Sequence, residues 1–452
     1  MTRMNVRYPA LLAAAAAIAT SVSCSDNSSG LKSGTINKVN HVVVIYLENR
    51  GFDNTYGEFA GATGLADAAS ALPQLDSAGN AYDTLPQVAG QPYPTNLPNA
   101  PFDIALYVPP TVATRDLVHR FYQEQVQIDG GKMDKFVNIS DAQGLSMGYY
   151  HTAVLPMAAE AAHYVLADHF FHSAFGGSFL NHQFLIAAAP PVFPGAPTSA
   201  VAVLDSAGHV ITDGYVTPDG FGINTSFTVN NPHPSSANVA GLVPNQTNPT
   251  IGDRLTAANQ SWAWYSGGWN DAIAGHPAPT FQFHHQAFAY YANYADGTQA
   301  KADHLKDETD FIAAATAGTL PAVSFVKPLG LNNEHPGYAD IITGENHTID
   351  LINAVRNGPN WKDAVIIVTY DENGGFWDHV APPTIDRWGP GTRTPTIIIS
   401  PFAKKGFVDK TSYETVSILS FIEKRWSLPP LTDRDRNASP LTNAFDFTLS
   451  AN

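Results

Sequence analysis

The chain has 452 residues, a net charge of −16 at pH 7 and a single cysteine, Cys24. That length suits one large α/β domain with insertions. The acidic balance argues against nucleic acid as a main partner, and one cysteine excludes an internal disulfide. A site for an anionic substrate must therefore be built locally.

Arg3 and Arg7 precede an Ala-rich apolar run, followed by Ser21, Ser23 and Cys24. This pattern predicts a secretory signal peptide over residues 1–23, too short to be a membrane span. Cys24 stands where a bacterial lipoprotein would be acylated, so the chain is expected to be exported, periplasmic or secreted, with membrane anchoring through a lipidated Cys24 as one outcome. Ordinary signal-peptidase cleavage is the other. Residues 24–39 read as a polar tether, and residues 40–452 as a single catalytic domain.

The first strand is predicted at residues 41–47, HVVVIYL, leading into Glu48, Asn49, Arg50 and Gly51. Its uninterrupted apolar, β-branched character suits a buried parallel strand at the centre of a doubly wound sheet. The strand delivers a carboxylate and an amide to a turn. Asn49 or Asp53 as the cap of a short helix is the simpler alternative. Residues 65–101, rich in Ala, Pro, Gly and Asn, read as a loop insertion. His119 lies in TRDLVHRFYQEQ, ahead of a GGKMDKF segment.

The apolar spacing of residues 157–171 predicts a helix. After it comes FGGSFLNHQF, in which Ser178 follows Gly176 and Gly177 and precedes an apolar run. That placement puts Ser178 at a helix amino terminus, where unpaired N–H groups favour an anion. Ser178 is then a nucleophile or only an N-cap. It is not a GxSxG elbow, since Phe179-Leu180 follow it. Residues 199–259 read as a loop-rich, cap-like insertion. Trp262, Trp264, Tyr265 and Trp269 are either a cage for a quaternary ammonium or core packing.

His284 and His285 form a pair in FQFHHQAF, and His335 lies in NNEHPG. A helix is predicted over residues 346–356. It feeds a second buried strand at residues 365–369 that ends in Asp371, Glu372, Asn373 and a Gly-Gly turn, with Asp378 and His379 beyond. Carboxylates at the carboxyl end of a parallel strand, with a histidine a few residues on, are donors for a divalent metal. A solvated acidic turn is the competing explanation. A late strand at residues 394–401 and an amphipathic helix at residues 415–425 close the pattern. Alternating strands and helices imply α/β architecture, a doubly wound, mostly parallel sheet with helices on both faces.

These segments together resemble a known family. HVVVIYLENRGFDNTYG, FGGSFLNHQFLIAAA, FQFHHQAFAYYANYA, NEHPGYADIITGENHTIDLINAV and YDENGGFWDHVAPP are similar to motifs of the bacterial phosphoesterases that include acid phosphatases and phospholipases C. The resemblance implies an alkaline-phosphatase-like core with loop-rich insertions and hydrolysis of phosphate esters. It implies one divalent metal ion on Glu48, Asn49, Ser178, Asp371 and Glu372, with Ser178 as nucleophile. It also implies phosphoryl-binding and acid–base roles for His119, His285 and His335. Phosphate-ester small molecules are the expected partners. Ser178 in place of Thr favours a metal-dependent acid phosphatase acting through a phosphoserine, with phospholipase C action on phosphorylcholine diesters as the alternative. Protonated His285 or His335 holding the phosphoryl group would give an acidic optimum. A binding protein on a decayed enzyme fold is the non-catalytic alternative.

Overall fold

The computed structural model describes residues 36–449. The stretch read as signal peptide, and Cys24, lie outside the described residues. Residues 36–38, expected to end a tether, instead form a 3₁₀ turn with Ile36 buried, and Val39 is fully buried. Among the described residues no helix is long and apolar enough to cross a membrane.

Among the described residues, eight strands build the main sheet. In chain order they are β1 (His41–Leu47), β2 (Val165–Ala167), β3 (Trp262–Ser266), β4 (Leu305–Asp307), β5 (Val323–Lys327), β6 (Ala364–Tyr370), β7 (Thr396–Ile399) and β8 (Phe407–Asp409). Their spatial order is β8-β2-β7-β6-β1-β5-β3-β4. All pairings are parallel except those of β7, which runs antiparallel to β6 and β2. Every residue of β6 and all but His41 of β1 are buried. Successive side chains point to opposite faces, so both faces of the sheet centre are covered. This is the doubly wound α/β architecture expected.

Strand β1 lies between β5 and β6, with Val44 opposite Phe325 on one side and Ile367 on the other. The chain therefore crosses over β1 in passing from β5 to β6. The crossover is made by a helix at Ile341–Arg356, longer at its amino end than the sequence suggested. Asp340 sets that start by accepting a hydrogen bond from the Thr343 N–H at 2.9 Å. A sheet that changes winding direction at its central strand opens a crevice at the carboxyl ends of the flanking strands.

Two segments differ from expectation. Residues 157–171 are not one helix. The helix stops at Ala158–His163, and Val165–Ala167 pairs as β2 between β7 and β8. Tyr164, at φ −114 and ψ −127, breaks the turn. Non-local sheet pairing here outweighs local helical spacing. The cap-like stretch around 199–259 holds a small antiparallel pair, Val203–Leu204 with Val210–Thr212. Its last part, the helix Ile251–Ala257, belongs to the core. There Gly252 presses on Trp262, and a Cβ at that position would come within 2.4 Å of the indole.

Helix α1 (Ser178–Ala187) packs against α2 (Thr415–Trp426). The apolar stripe of α2, including Val416, Leu419 and Ile422, is buried, and Lys424 and Arg425 sit favourably in its last turn. Glu423 is the exception on this helix. It is nearly buried and its Oε1 has no partner. Burial, reinforced by Asp435, pushes it up to about 9. The folded form thus holds a proton that the unfolded chain releases near pH 4.5, so stability falls as pH rises from there through about 9. Glu423→Gln is expected to flatten that slope. Urea midpoints at pH 5, 7 and 9 should show a stabilisation by the substitution that grows with pH.

Candidate active site

The carboxyl ends of β1, β5 and β6 lie side by side, and each carries chemistry: Glu48 and Asn49 after β1, Lys327 ending β5, Asp371 and Glu372 after β6. Asn49 adopts a left-handed backbone, φ 59, which lets its N–H reach Asp371 Oδ1 at 3.0 Å. The Glu372 N–H donates to the same oxygen at 2.9 Å. Gly374 is required at the facing turn, because a Cβ there would lie 2.3 Å from the Asn49 carbonyl oxygen.

Ser178 opens α1, as its sequence context suggested. Its hydroxyl donates to Glu48 Oε2 at 2.9 Å and reaches Asn49 Oδ1 at 3.5 Å. The two preceding glycines have separate steric reasons. Gly176 is at φ 84, and a Cβ on it would lie 2.4 Å from the Phe121 nitrogen. A Cβ on Gly177 would lie 2.8 Å from the His119 carbonyl oxygen. The bare turn thus lets the His119 segment lie directly on the serine loop.

His119 and His335 meet edge to face, with ring centroids 5.7 Å apart. Each has Nδ1 on a backbone oxygen at 2.5 Å, Leu117 for His119 and Pro336 for His335. That contact assigns the proton to Nδ1 in the neutral rings and leaves Nε2 free. His119 Nε2 lies 3.3 Å from Asn49 Nδ2. A pocket of ≈ 320 Å³ opens beside His119, lined by Asp116, His119, Arg120, Gly177, Asn224 and Thr225 among others. Asn224 and Thr225 come from the insertion, and the Phe121 N–H ties that insertion down by donating to Asn224 Oδ1 at 3.1 Å.

His285 is buried deeper. Its Nε2 lies 3.2 Å from Glu48 Oε1, and its ring stacks on His182 at 4.8 Å. His182 was not singled out in the sequence, although it lies one helical turn after Ser178 and so on the same face. Its Nδ1 donates to the Ser178 carbonyl at 2.7 Å, and its buried Nε2 has no partner. Lys327 was also missed; its Nζ is ion-paired with Glu48 Oε1. His379, considered as a donor near Asp371, instead pairs with Asp53 at 2.6 Å, and Arg393 bridges Asp53 and Asp378. Trp262, Trp264 and Trp269 are buried packing rather than a cage, with Trp262 stacked on His304.

The electrostatics are those of a site short of positive charge. Burial, with Asp371 beside each, pushes Glu48 and Glu372 well above the usual carboxylate range; Lys327 pulls Glu48 back in part. Asp371 Oδ2 and Glu372 Oε1 are buried without partners. These orphan oxygens, with the free Nε2 of His182, fit a divalent cation by donor type. Glu48, His182 and His285 bring ligand atoms within 4.8 Å of one another. Burial pushes His285 and His335 well below the ordinary imidazole value; Lys327 adds to this at His285, and His119 adds to it at His335. His284 is pushed down to about 3, again by burial first. The expectation of protonated His285 or His335 is therefore corrected. Both are neutral near pH 6.5, and no acidic optimum follows from their titration.

A buried serine thus donates a hydrogen bond to a carboxylate at the crevice of a mostly parallel α/β sheet. The chain belongs to the Phosphoesterase family, whose model matches residues 39–429. It is similar to the non-hemolytic phospholipase C of Pseudomonas aeruginosa, 25% identical over 457 residues, covering 92% of this chain and 58% of that protein. Phospholipase C B of Mycobacterium tuberculosis is 25% identical over 466 residues, covering 93% and 80%. A crystal structure of a protein in the alkaline phosphatase superfamily from Vibrio parahaemolyticus aligns over 74% of this chain and 73% of that one. Its TM-score is 0.36, with 9% identity.

Proposed function

We propose that this protein hydrolyses phosphate monoesters, with Ser178 as nucleophile and a phosphoryl group on Ser178 Oγ as the intermediate. The observation that carries the proposal is the 2.9 Å hydrogen bond from Ser178 to Glu48 at the amino end of α1, beside carboxylates with unpartnered oxygens. Glu48, Asn49, Ser178, Asp371 and Glu372 would hold one divalent cation, with His182 as a further donor. Such an ion supplies charge neutralisation to the serine oxygen and the phosphoryl group.

The chain's own residues do the rest. The Ser178 proton leaves along its hydrogen bond to Glu48, and the first-turn N–H groups of α1 favour the resulting alkoxide. Oγ attacks phosphorus in line, and the bond from phosphorus to the leaving oxygen breaks. His119, partly exposed at the pocket mouth, takes a proton from solvent and passes it from Nε2 to the leaving oxygen. Neutral His119 then takes a proton from the attacking water. The P–Oγ bond breaks, phosphate departs, and Glu48 returns its proton to Ser178 Oγ, leaving His119 protonated for the next leaving group. His335 steadies the His119 ring, and itself stacks on Tyr338 at 4.4 Å.

A second reading, phospholipase C action on phosphorylcholine diesters, is favoured by the names of the similar proteins. Nitrophenyl phosphate and nitrophenyl phosphorylcholine separate the two. A monoester carries one more anionic oxygen for the site's cations. Its kcat/KM is expected to be higher by at least about tenfold, some 1.4 kcal/mol of transition-state binding. A preference for the diester would replace the first reading with the second. Export is part of the proposal, and mass spectrometry of the mature amino terminus tests it and decides between a lipidated Cys24 and ordinary signal-peptidase cleavage.

A further inference from the structure

Lys327 has no task in the mechanism above, yet its side chain is 1% exposed. A buried ammonium is costly unless its surroundings answer its charge. Its Nζ pairs with Glu48 Oε1, donates to the Leu47 carbonyl oxygen at 3.4 Å and lies 5.3 Å from the centre of the Tyr46 ring. Glu48 Oε2 is meanwhile taken by Ser178. The two oxygens of Glu48 are thus divided, one for the lysine and one for the serine side.

The nearby arginines are committed elsewhere. Arg50 donates to the Glu334 carbonyl oxygen, and Arg393 bridges Asp53 and Asp378. Among the described residues, Lys327 is the one Lys or Arg that forms an ion pair with Glu48, Asp371 or Glu372. Metal ligation requires Glu48, Asp371 and Glu372 to be ionised, and in that state three carboxylates and one ammonium leave two negative charges. A single dication closes that balance, whereas two would leave an excess of two positive charges in a buried site.

We propose that Lys327 is a positioning residue and the fixed positive charge of the site: it holds Glu48 by Oε1, keeps Oε2 turned to the serine side, and limits the site to one divalent ion. The inference rests on the metal-site reading of the preceding section. Two cations that share a buried carboxylate repel each other through a medium of low dielectric. Removing the lysine charge should therefore tighten binding of the dication.

The test uses the purified full chain, stripped of metal and checked by elemental analysis. It is titrated calorimetrically with Mg²⁺, Ca²⁺, Mn²⁺ and Zn²⁺ in turn. Wild type is expected to bind one equivalent of at least one of these ions. Lys327→Met and Lys327→Gln should bind that ion at least about tenfold more tightly, as expected for removal of a neighbouring cation. Lys327→Arg, which keeps the charge, should match wild type. Unchanged or weaker binding by the folded Met and Gln variants overturns the inference and leaves the metal site standing. Two equivalents in wild type also overturn it, even where neither neutral variant folds. Absence of binding by wild type to all four ions overturns the metal-site reading itself.

Discussion

Ser178→Ala is expected to lower kcat on nitrophenyl phosphate by on the order of 10⁴-fold or more, the scale of loss when a nucleophile is deleted. The fold should survive. The substitution removes one buried hydrogen bond, to Glu48, worth about 1 kcal/mol. Glu48 keeps Lys327 as a partner, and the turn at Gly176 and Gly177 is untouched. The variant's thermal midpoint and circular dichroism report the fold, and rapid-quench kinetics report the burst of product that wild type should show and the variant should lack. A folded variant that retains more than about one hundredth of wild-type kcat removes Ser178 from the nucleophile's role.

Asp371→Asn should separate charge from shape. Asp371 Oδ1 accepts the N–H groups of Asn49 and Glu372, and an asparagine oxygen can keep both bonds. The substitution then changes mainly Oδ2, the atom without a partner. Metal affinity is expected to fall by at least about tenfold, with kcat falling alongside it at low metal. Excess metal should restore part of the rate to Asp371→Asn and none to Ser178→Ala. Elemental analysis after dialysis gives occupancy. Full occupancy in Asp371→Asn and in Glu48→Gln would remove these carboxylates from the ligand set.

What the sequence disclosed depended on how local the determinant was. Strands β1 and β6 were legible because each is an apolar run over most of its length, as burial on both faces favours, and each runs straight into acids. Ser178 was legible through two glycines and the apolar helix after it. Lys327 was not, because a lysine at the end of VSFVK looks the same whether it meets water or Glu48, and only the non-local pairing of β5 with β1 decides. His182 carried a signal, its spacing of four from Ser178, but helical spacing alone does not distinguish a site from a core. The strand at Val165–Ala167 was hidden by the helix-like spacing around it. The neutral state of His285 and His335 was hidden because it is set by burial, which is a property of the assembled fold.

The central place of β1 also has a consequence for how the chain is made. His41–Leu47 leaves the ribosome early, but its hydrogen-bonding partners are Val323 onward and Ala364 onward, some 280 to 320 positions later. No hairpin or neighbouring strand can cover it in the interval. Seven residues without Asp, Glu, Lys or Arg, five of them Val, Ile or Leu, then remain an open template for pairing with other chains. Closing such long loops also slows folding. Chains that terminate before β5 cannot complete this centre and should be insoluble, so the protein depends on full-length synthesis, and on protection of its first strand until then, to become soluble at all.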